Sequence, residues 1–279
     1  MKYPRILSAI RSARWAITPG ALNAIVDTLG SHMRGSGIRG ADLPPIAQPP
    51  VAPAQEQESQ VAVIPVMGIL GKHLSELDMA CGGCDVDSIG AAIDAAVADE
   101  AIRALVLDFD SPGGVVTGIP ELADRIRGEV SGKPLVAFTG AQCCSAAYWL
   151  ASACGAVFAT KSADLGSIGV YMALIDDSEW WKKEGFKLEL IKAGKHKADG
   201  ISGQPLSDEA RARFQSDVDA CYEMFTADVR SGRGTVSDEV MQGQTFMGRA
   251  AVGAGLVDDI VPSLEAVVSA FEANLPALK

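Results

Sequence analysis

Residues 140–160 read GAQCCSAAYWLASACGAVFAT. They lie inside a run from Pro134 to Thr160, 27 residues without a charge. A run that long is enough to cross a bilayer. Gly140, Gln142, Ser145, Ser152 and Gly155 interrupt it, however, and it divides into three pieces. PLVAF (134–138) reads as a strand, SAAYWLASAC (145–154) as a helix and GAVFA (155–159) as a second strand. The pattern predicts a packed soluble core rather than a membrane span. Ser145 stands at the start of the predicted helix, where backbone amides gather partial positive charge.

The flanks extend the same alternation. VAVIPVMGIL (61–70) opens the body as a buried strand, with Pro65 pointing to a sheet edge or bulge. DVDSIGAAIDAAVAD (85–99) repeats Ile89, Ile93 and Val97 on one helical face, RALVLDF (103–109) is a second strand, and GIPELADRIRGEV (118–130) a helix. After the uncharged run come GSIGVYM (166–172) as a strand, SEWWKKEG (178–185) as a helix and KLELI (187–191) as a strand. A long helix over 207–233 has Phe214, Val218, Cys221 and Phe225 on one face. Near-continuous apolar strands alternating with helices predict an α/β fold with a buried sheet.

The N-terminal 60 residues differ. Residues 1–40 carry six Lys or Arg and one acid, Asp27, so this arm is +5 within a chain of net charge −11. Ile6, Ile10, Ala13 and Ile17 predict a helix over 6–17, and Thr18-Pro19 reads as a cap and first turn of a second helix bearing Leu22, Ile25, Val26 and Leu29. ADLPPIAQPPVAPAQEQESQ (41–60) has five prolines and no period, which reads as a linker. The expected organisation is a basic helical arm (1–40), a Pro-rich linker (41–60) and a folded body (61–279). The acidic body argues against nucleic-acid binding. Arg11 and Arg14 break the N-terminal apolar stretch before a secretory signal can form. Six cysteines, including a lone CGGC at 81–84, lack zinc-like spacing and suggest a reducing compartment and no metal.

Two stretches carry chemistry. DSPGG (110–114) ends a strand on two glycines, which lets bare N–H groups approach a ligand. At QCCSAAYW (142–149), a Ser145 hydroxyl attacking a carbonyl would have the Ala146 N–H beside the developing oxyanion. Cys143 and Cys144 are rival nucleophiles. Only His32, His73 and His196 exist, so a triad would have to recruit His196; Lys192, Lys195 and Lys197 in IKAGKHKADG (191–200) are the alternative bases. A lysine can serve once an apolar pocket lowers its pKa.

In order, DSPGG, GAQCCSAAYWLAS, ATKSADLGSIGV and IKAGKHKADG resemble the signal peptide peptidase A family of serine peptidases, including its phage head-maturation branch. The family's A-S-G-G-Y reads Cys144-Ser145-Ala146-Ala147-Tyr148 here, and G-S-[IL]-G-V is matched by Gly166–Val170. S-G-x-x-K aligns its catalytic lysine with Lys197, and QGQTFMGRAAVGAGLVDDI (242–260) is similar to the closing F-x-G-x-x-A-x-x-x-G-L-V-D element. The resemblance covers about 61–262. It implies a spiral of ββα units, as in Clp protease and the crotonases, and a Ser-Lys dyad that cuts peptides without a cofactor. Ser145 would be nucleophile, Lys197 general base, and Gly114 and Ala146 the oxyanion donors. It also implies homo-oligomers in which the lysine can reach a neighbour's serine. With no membrane anchor readable, the expected role is cleavage of scaffold, capsid or portal proteins in the host cytoplasm or an assembling head, with the arm and linker as a tether. Alternatives are a bacterial signal-peptide-degrading peptidase, an acyl-CoA enzyme of crotonase type and an inactive assembly scaffold.

Overall fold

The computed structural model describes residues 13–33, 59–129, 132–234 and 236–274. The linker over 41–58 and the start of the arm lie outside them. The chain opens with β1 (Trp15–Ile17) and α1 (Pro19–Met33). Next are β2 (Val61–Met67), β3 (Ile69–Gly71), α2 (Glu76–Ala80), β4 (Gly83–Asp85) and α3 (Val86–Ala98). The centre holds β5 (Ala104–Ser111), β6 (Gly113–Val115), α4 (Ile119–Glu129), β7 (Leu135–Cys144), α5 (Ala146–Ser152), β8 (Val157–Ala159) and β9 (Asp164–Gly166). Last come α6 (Ser178–Lys183), α7 (Asp208–Arg233), β10 (Thr245–Met247), α8 (Arg249–Gly253), β11 (Asp259–Ile260) and α9 (Leu264–Asn274).

Among the described residues two sheets form. The larger runs β10-β9-β7-β5-β2, with β8 and β11 branching from β7; the smaller runs β1-β6-β3-β4. The β2, β5 and β7 strands pair in parallel, so their apolar runs are covered on both faces. Pro65 is tolerated because β2 is an edge strand, as its position in the sequence suggests.

The decisive irregularity is in β7. Phe109 pairs with Thr139, but the next pairing is Ser111 with Cys143, two extra residues on β7. A bulge bends its strand and re-aims the residues beyond it. Here the first half of β7 (Ala137–Thr139) pairs with β8 and the second half (Gln142–Cys144) with β9. The strand then ends at the turn that starts α5. All seven residues of α5 are buried, the expected state of a helix apolar on every side. The uncharged run is therefore core, and no described helix is long and apolar enough to cross a membrane.

α5 is clamped from outside by α7. Trp149 stacks on Phe225 at 4.4 Å with 3° between planes, and its Nε1–H donates to Asp228 Oδ2 at 2.6 Å. Asp228 also takes a bond from Arg127 on α4 at 2.8 Å. One carboxylate thus ties three helices together.

Three expectations need correction. Residues 15–17 are a strand, not the end of a helix: the aromatic and β-branched side chains there find two backbone neighbours to bond with, and pairing overrides the helical period. Residues 6–12 lie outside the described residues. KLELI forms no strand, because no other described strand pairs with it; its Leu188 carbonyl takes the Gln204 side-chain amide at 3.0 Å instead, and Ile191 is fully exposed. In GSIGVYM only Gly166 belongs to a strand, the end of β9, and the rest is irregular.

Asp108 on β5 is half-buried, and desolvation, with Asp110 and Glu265 adding to it, pushes its pKa up to about 6. A carboxyl whose folded pKa exceeds its unfolded value favours folding at low pH. That advantage is lost as pH rises from the ordinary carboxylate range through about 6. Asp108→Asn is expected to stabilise the protein by about 1 kcal/mol at pH 8 after discounting for solvent screening, and by much less at pH 4.5. Urea unfolding at both pH values checks this; an equal gain at both contradicts it.

Candidate active site

Ser145 occupies the sharp turn between β7 and α5 with φ 57° and ψ −120°, a region that side-chain-bearing residues rarely visit. Such a conformation costs of order 1–3 kcal/mol and persists only where the surroundings impose it. The surroundings here are a buried strand, a buried helix and the bond from Ser145 N–H to Gly166 O at 2.7 Å. The Ser145 side chain forms no helix cap; its hydroxyl faces Gly169 O at 3.5 Å. Ala146 N–H is the first amide of α5, one of the four that a helix leaves without an internal acceptor.

The DSPGG turn lies directly opposite. Ser111 Oγ donates to Gly68 O at 2.6 Å and accepts the Gly113 N–H at 3.2 Å, which locks the turn and occupies that amide. Gly113 has φ 100°, and a side chain on it would run into Ser145 Cβ at 2.9 Å, Ala146 N at 3.0 Å and the carbonyl oxygen of Ala16. A side chain on Gly114 would strike the Leu70 carbonyl. Both glycines are therefore needed for close approach, and the Gly113 side of the turn lies against Ser145 and the first amide of α5.

Ala146 and Ala147 stand where the resemblance expects a glycine pair. Both are completely buried, so their methyl groups fill core rather than cleft. The neighbouring thiols are poor rivals for Ser145. Burial, with Cys144 and Cys154 nearby, raises Cys143 well above the usual thiol range, and burial, with Asp164 nearby, pushes Cys144 up to about 12. Both stay protonated at neutral pH, and only a thiolate attacks well.

Lys197 is exposed on the loop after residue 191, and no hydrogen bond or ion pair within the described residues holds its ammonium. It does not reach Ser145 within this chain, because the bond to Gly169 is the one the serine hydroxyl makes. Its neighbours are engaged elsewhere: Lys192 with the Lys195 carbonyl at 2.8 Å, Lys195 with Glu209, and His196 with Asp199 at 3.0 Å. Among the described residues no three His, Cys, Asp or Glu side chains could hold a metal.

Comparison with known proteins supplies the family. The model of peptidase family S49 matches residues 128–275. The chain belongs to peptidase family S49. This S49 chain is 34% identical over 209 residues to the head-tail preconnector protein GP5 of Enterobacteria phage P21, covering 74% of the chain and 42% of that protein. The same identity, over 209 residues, links it to capsid assembly protease C of Escherichia phage lambda, 74% of the chain and 48% of that protein. Protease 4 of Haemophilus influenzae is 29% identical over 226 residues, 75% and 34%. The chain spans less than half the length of these relatives. The mixed α/β architecture with its parallel sheet is the Clp protease and crotonase type that S49 membership carries.

Sequence reasoning took the glycine pair of DSPGG for amide approach; the structure adds that the bare Cα of Gly113 lets the turn close on Ser145. It read GSIGVYM as a strand but did not foresee that Tyr171 would bridge to Trp15. Gly113→Ala is expected to lower peptide cleavage by about 100-fold or more, the scale of losing an oxyanion contact. Initial rates on an unfolded protein check this, and a variant retaining more than half of wild-type activity would contradict it.

Proposed function

We propose that this protein is a serine endopeptidase in which Ser145 attacks, Gly114 and Ala146 bind the oxyanion, and Lys197 of a neighbouring copy is the general base. The observation that supports the reading is Ser145 in its strained turn at the start of α5, with the glycine turn of DSPGG packed against Ser145 Cβ and Ala146 N. A tetrahedral acyl intermediate requires amide donors beside the nucleophile. Oxygen attack needs a base, and burial of an ammonium against the apolar wall around Ser145 would bring a lysine into range.

Supply of that lysine from a second subunit is supported by its surroundings. Lys197 is the unengaged base in its loop. The segment leading to it exposes Ile175, Trp180 and Phe186 by more than half and Ile191 completely. A patch of that kind marks a protein contact surface. The substrates that fit best are polypeptides of an assembling phage head, scaffold or capsid proteins, since capsid assembly protease C is among the relatives. That role puts the enzyme in the host cytoplasm or inside the head, and the basic arm is the segment suited to tether it to a partner.

Cleavage of casein tests the reading. Ser145→Ala and Lys197→Ala should each lower the rate by at least about 10³-fold. Mixing the two inactive variants should restore measurable activity, because a hybrid pairs an intact serine with an intact neighbouring lysine. Full activity in Lys197→Ala contradicts the base assignment, and no restoration on mixing contradicts the shared site.

A further inference from the structure

The cleft is already filled by the protein's own residues 14–18. β1 runs antiparallel to β6, with Trp15 opposite Val115, Ala16 opposite Gly114 and Ile17 opposite Gly113. Val116 N–H donates to Arg14 O at 3.1 Å, and Thr18 N–H to Pro112 O at 3.0 Å. Bonded pairs alternate along an antiparallel ladder, so the pair midway between these two, Ala16 and Gly114, exchanges both of its bonds. The Gly114 amide therefore points at the Ala16 carbonyl. On the other side Trp15 and Tyr171 exchange both backbone bonds, at 2.9 and 3.0 Å. The segment is an extended strand held between β6 and the single bridge at Tyr171.

Its register is that of a substrate. Ala16 O occupies the spot a Gly113 side chain would take, the same spot that Ser145 Cβ and Ala146 N approach at 2.9 and 3.0 Å. Ala16 O, Ser145 Cβ and Ala146 N thus gather around one point, with the Gly114 amide directed at the oxygen. The side chains are received as well. Ala16 is fully buried in the main core cluster, leaving room for nothing larger. Trp15 is 4% exposed and packs with Ile69, Val115 and Tyr171 in a cluster separate from the main core. Arg14 reaches Asp217 on α7 at 3.3 Å.

We infer that the Ala16–Ile17 peptide bond is a self-cleavage site, and that residues 14–16 fill the acyl side of the cleft until it is cut. This rests on the peptidase reading above. Ser145 Oγ adds to the Ala16 carbonyl carbon while its proton passes to the base. The C–N bond to Ile17 then breaks, and the proton goes to the Ile17 amine. Water next hydrolyses the Ala16 ester, giving a free carboxylate and restoring the serine. Residues 1–16 leave, and the cleft opens to other chains. The groove accordingly favours a small residue before the cut, a large apolar one preceding it and a basic one before that.

Full-length wild type, Ser145→Ala and Ala16→Trp are purified and followed by N-terminal sequencing and intact mass, with casein cleavage measured in parallel. Wild type should acquire an N-terminus beginning Ile17-Thr18-Pro19, and its casein rate should rise after a lag that tracks this product. Ser145→Ala should keep residues 1–16, and Ala16→Trp should lose them at least about 10-fold more slowly than wild type, the scale of a side chain too large for its pocket. The inference is overturned if wild type cuts casein with residues 1–16 still attached throughout. Cutting at another bond, Ser145→Ala also beginning at Ile17, or Ala16→Trp being processed as fast as wild type overturns it too. If wild type cuts neither casein nor itself, the peptidase reading falls with it.

Discussion

Two extra residues in β7 govern the rest of the molecule. Had β7 continued in register with β5 past Phe109–Thr139, its end would have stayed in the plane of the larger sheet. The register shift instead turns its second half toward β9, whose last residue accepts the Ser145 amide. Only then does the chain enter α5 through a conformation that costs free energy at a side-chain-bearing residue. The stacking of Trp149 on Phe225 and the Asp228 bonds to α4 and α5 hold the helix where that turn needs it. Burial far from the chemistry thus sustains strain at it.

The same geometry explains why the cleft is made almost entirely of backbone. Gly113 and Gly114 let one strand approach Ser145 and the Leu70 carbonyl without side chains in the way. Gly114 and Tyr171 then present peptide groups to whatever lies between them. A site built from peptide groups recognises extended chain first and side chains second, which suits cleavage of proteins. Among the described residues the Ser145 hydroxyl meets a backbone carbonyl, that of Gly169, and no basic side chain.

The core was largely legible in the sequence. The uncharged run yielded its strand, helix and strand because Gly140, Ser145 and Gly155 punctuate it, and the glycine pair of DSPGG marked the turn opposite. Thr18-Pro19 opened α1 where proline belongs, at the first helical position. What could not be read depends on partners distant in sequence. Trp15–Ile17 looked helical because Ile6, Ile10, Ala13 and Ile17 share a helical period, and nothing local announces that Val115 and Tyr171 will flank it. KLELI looked like a strand for the converse reason, since β-propensity specifies a strand only where a neighbour is present.

The most direct test of Ser145 as a fold-activated nucleophile is covalent labelling with a fluorophosphonate, which reacts with an activated serine hydroxyl, combined with peptide mapping. One adduct is expected, on Ser145, with labelling that disappears on denaturation and falls sharply when Gly113 is replaced by alanine. An adduct on Cys143, Cys144 or another serine, or equal labelling of folded and denatured protein, would contradict the claim that the fold activates Ser145.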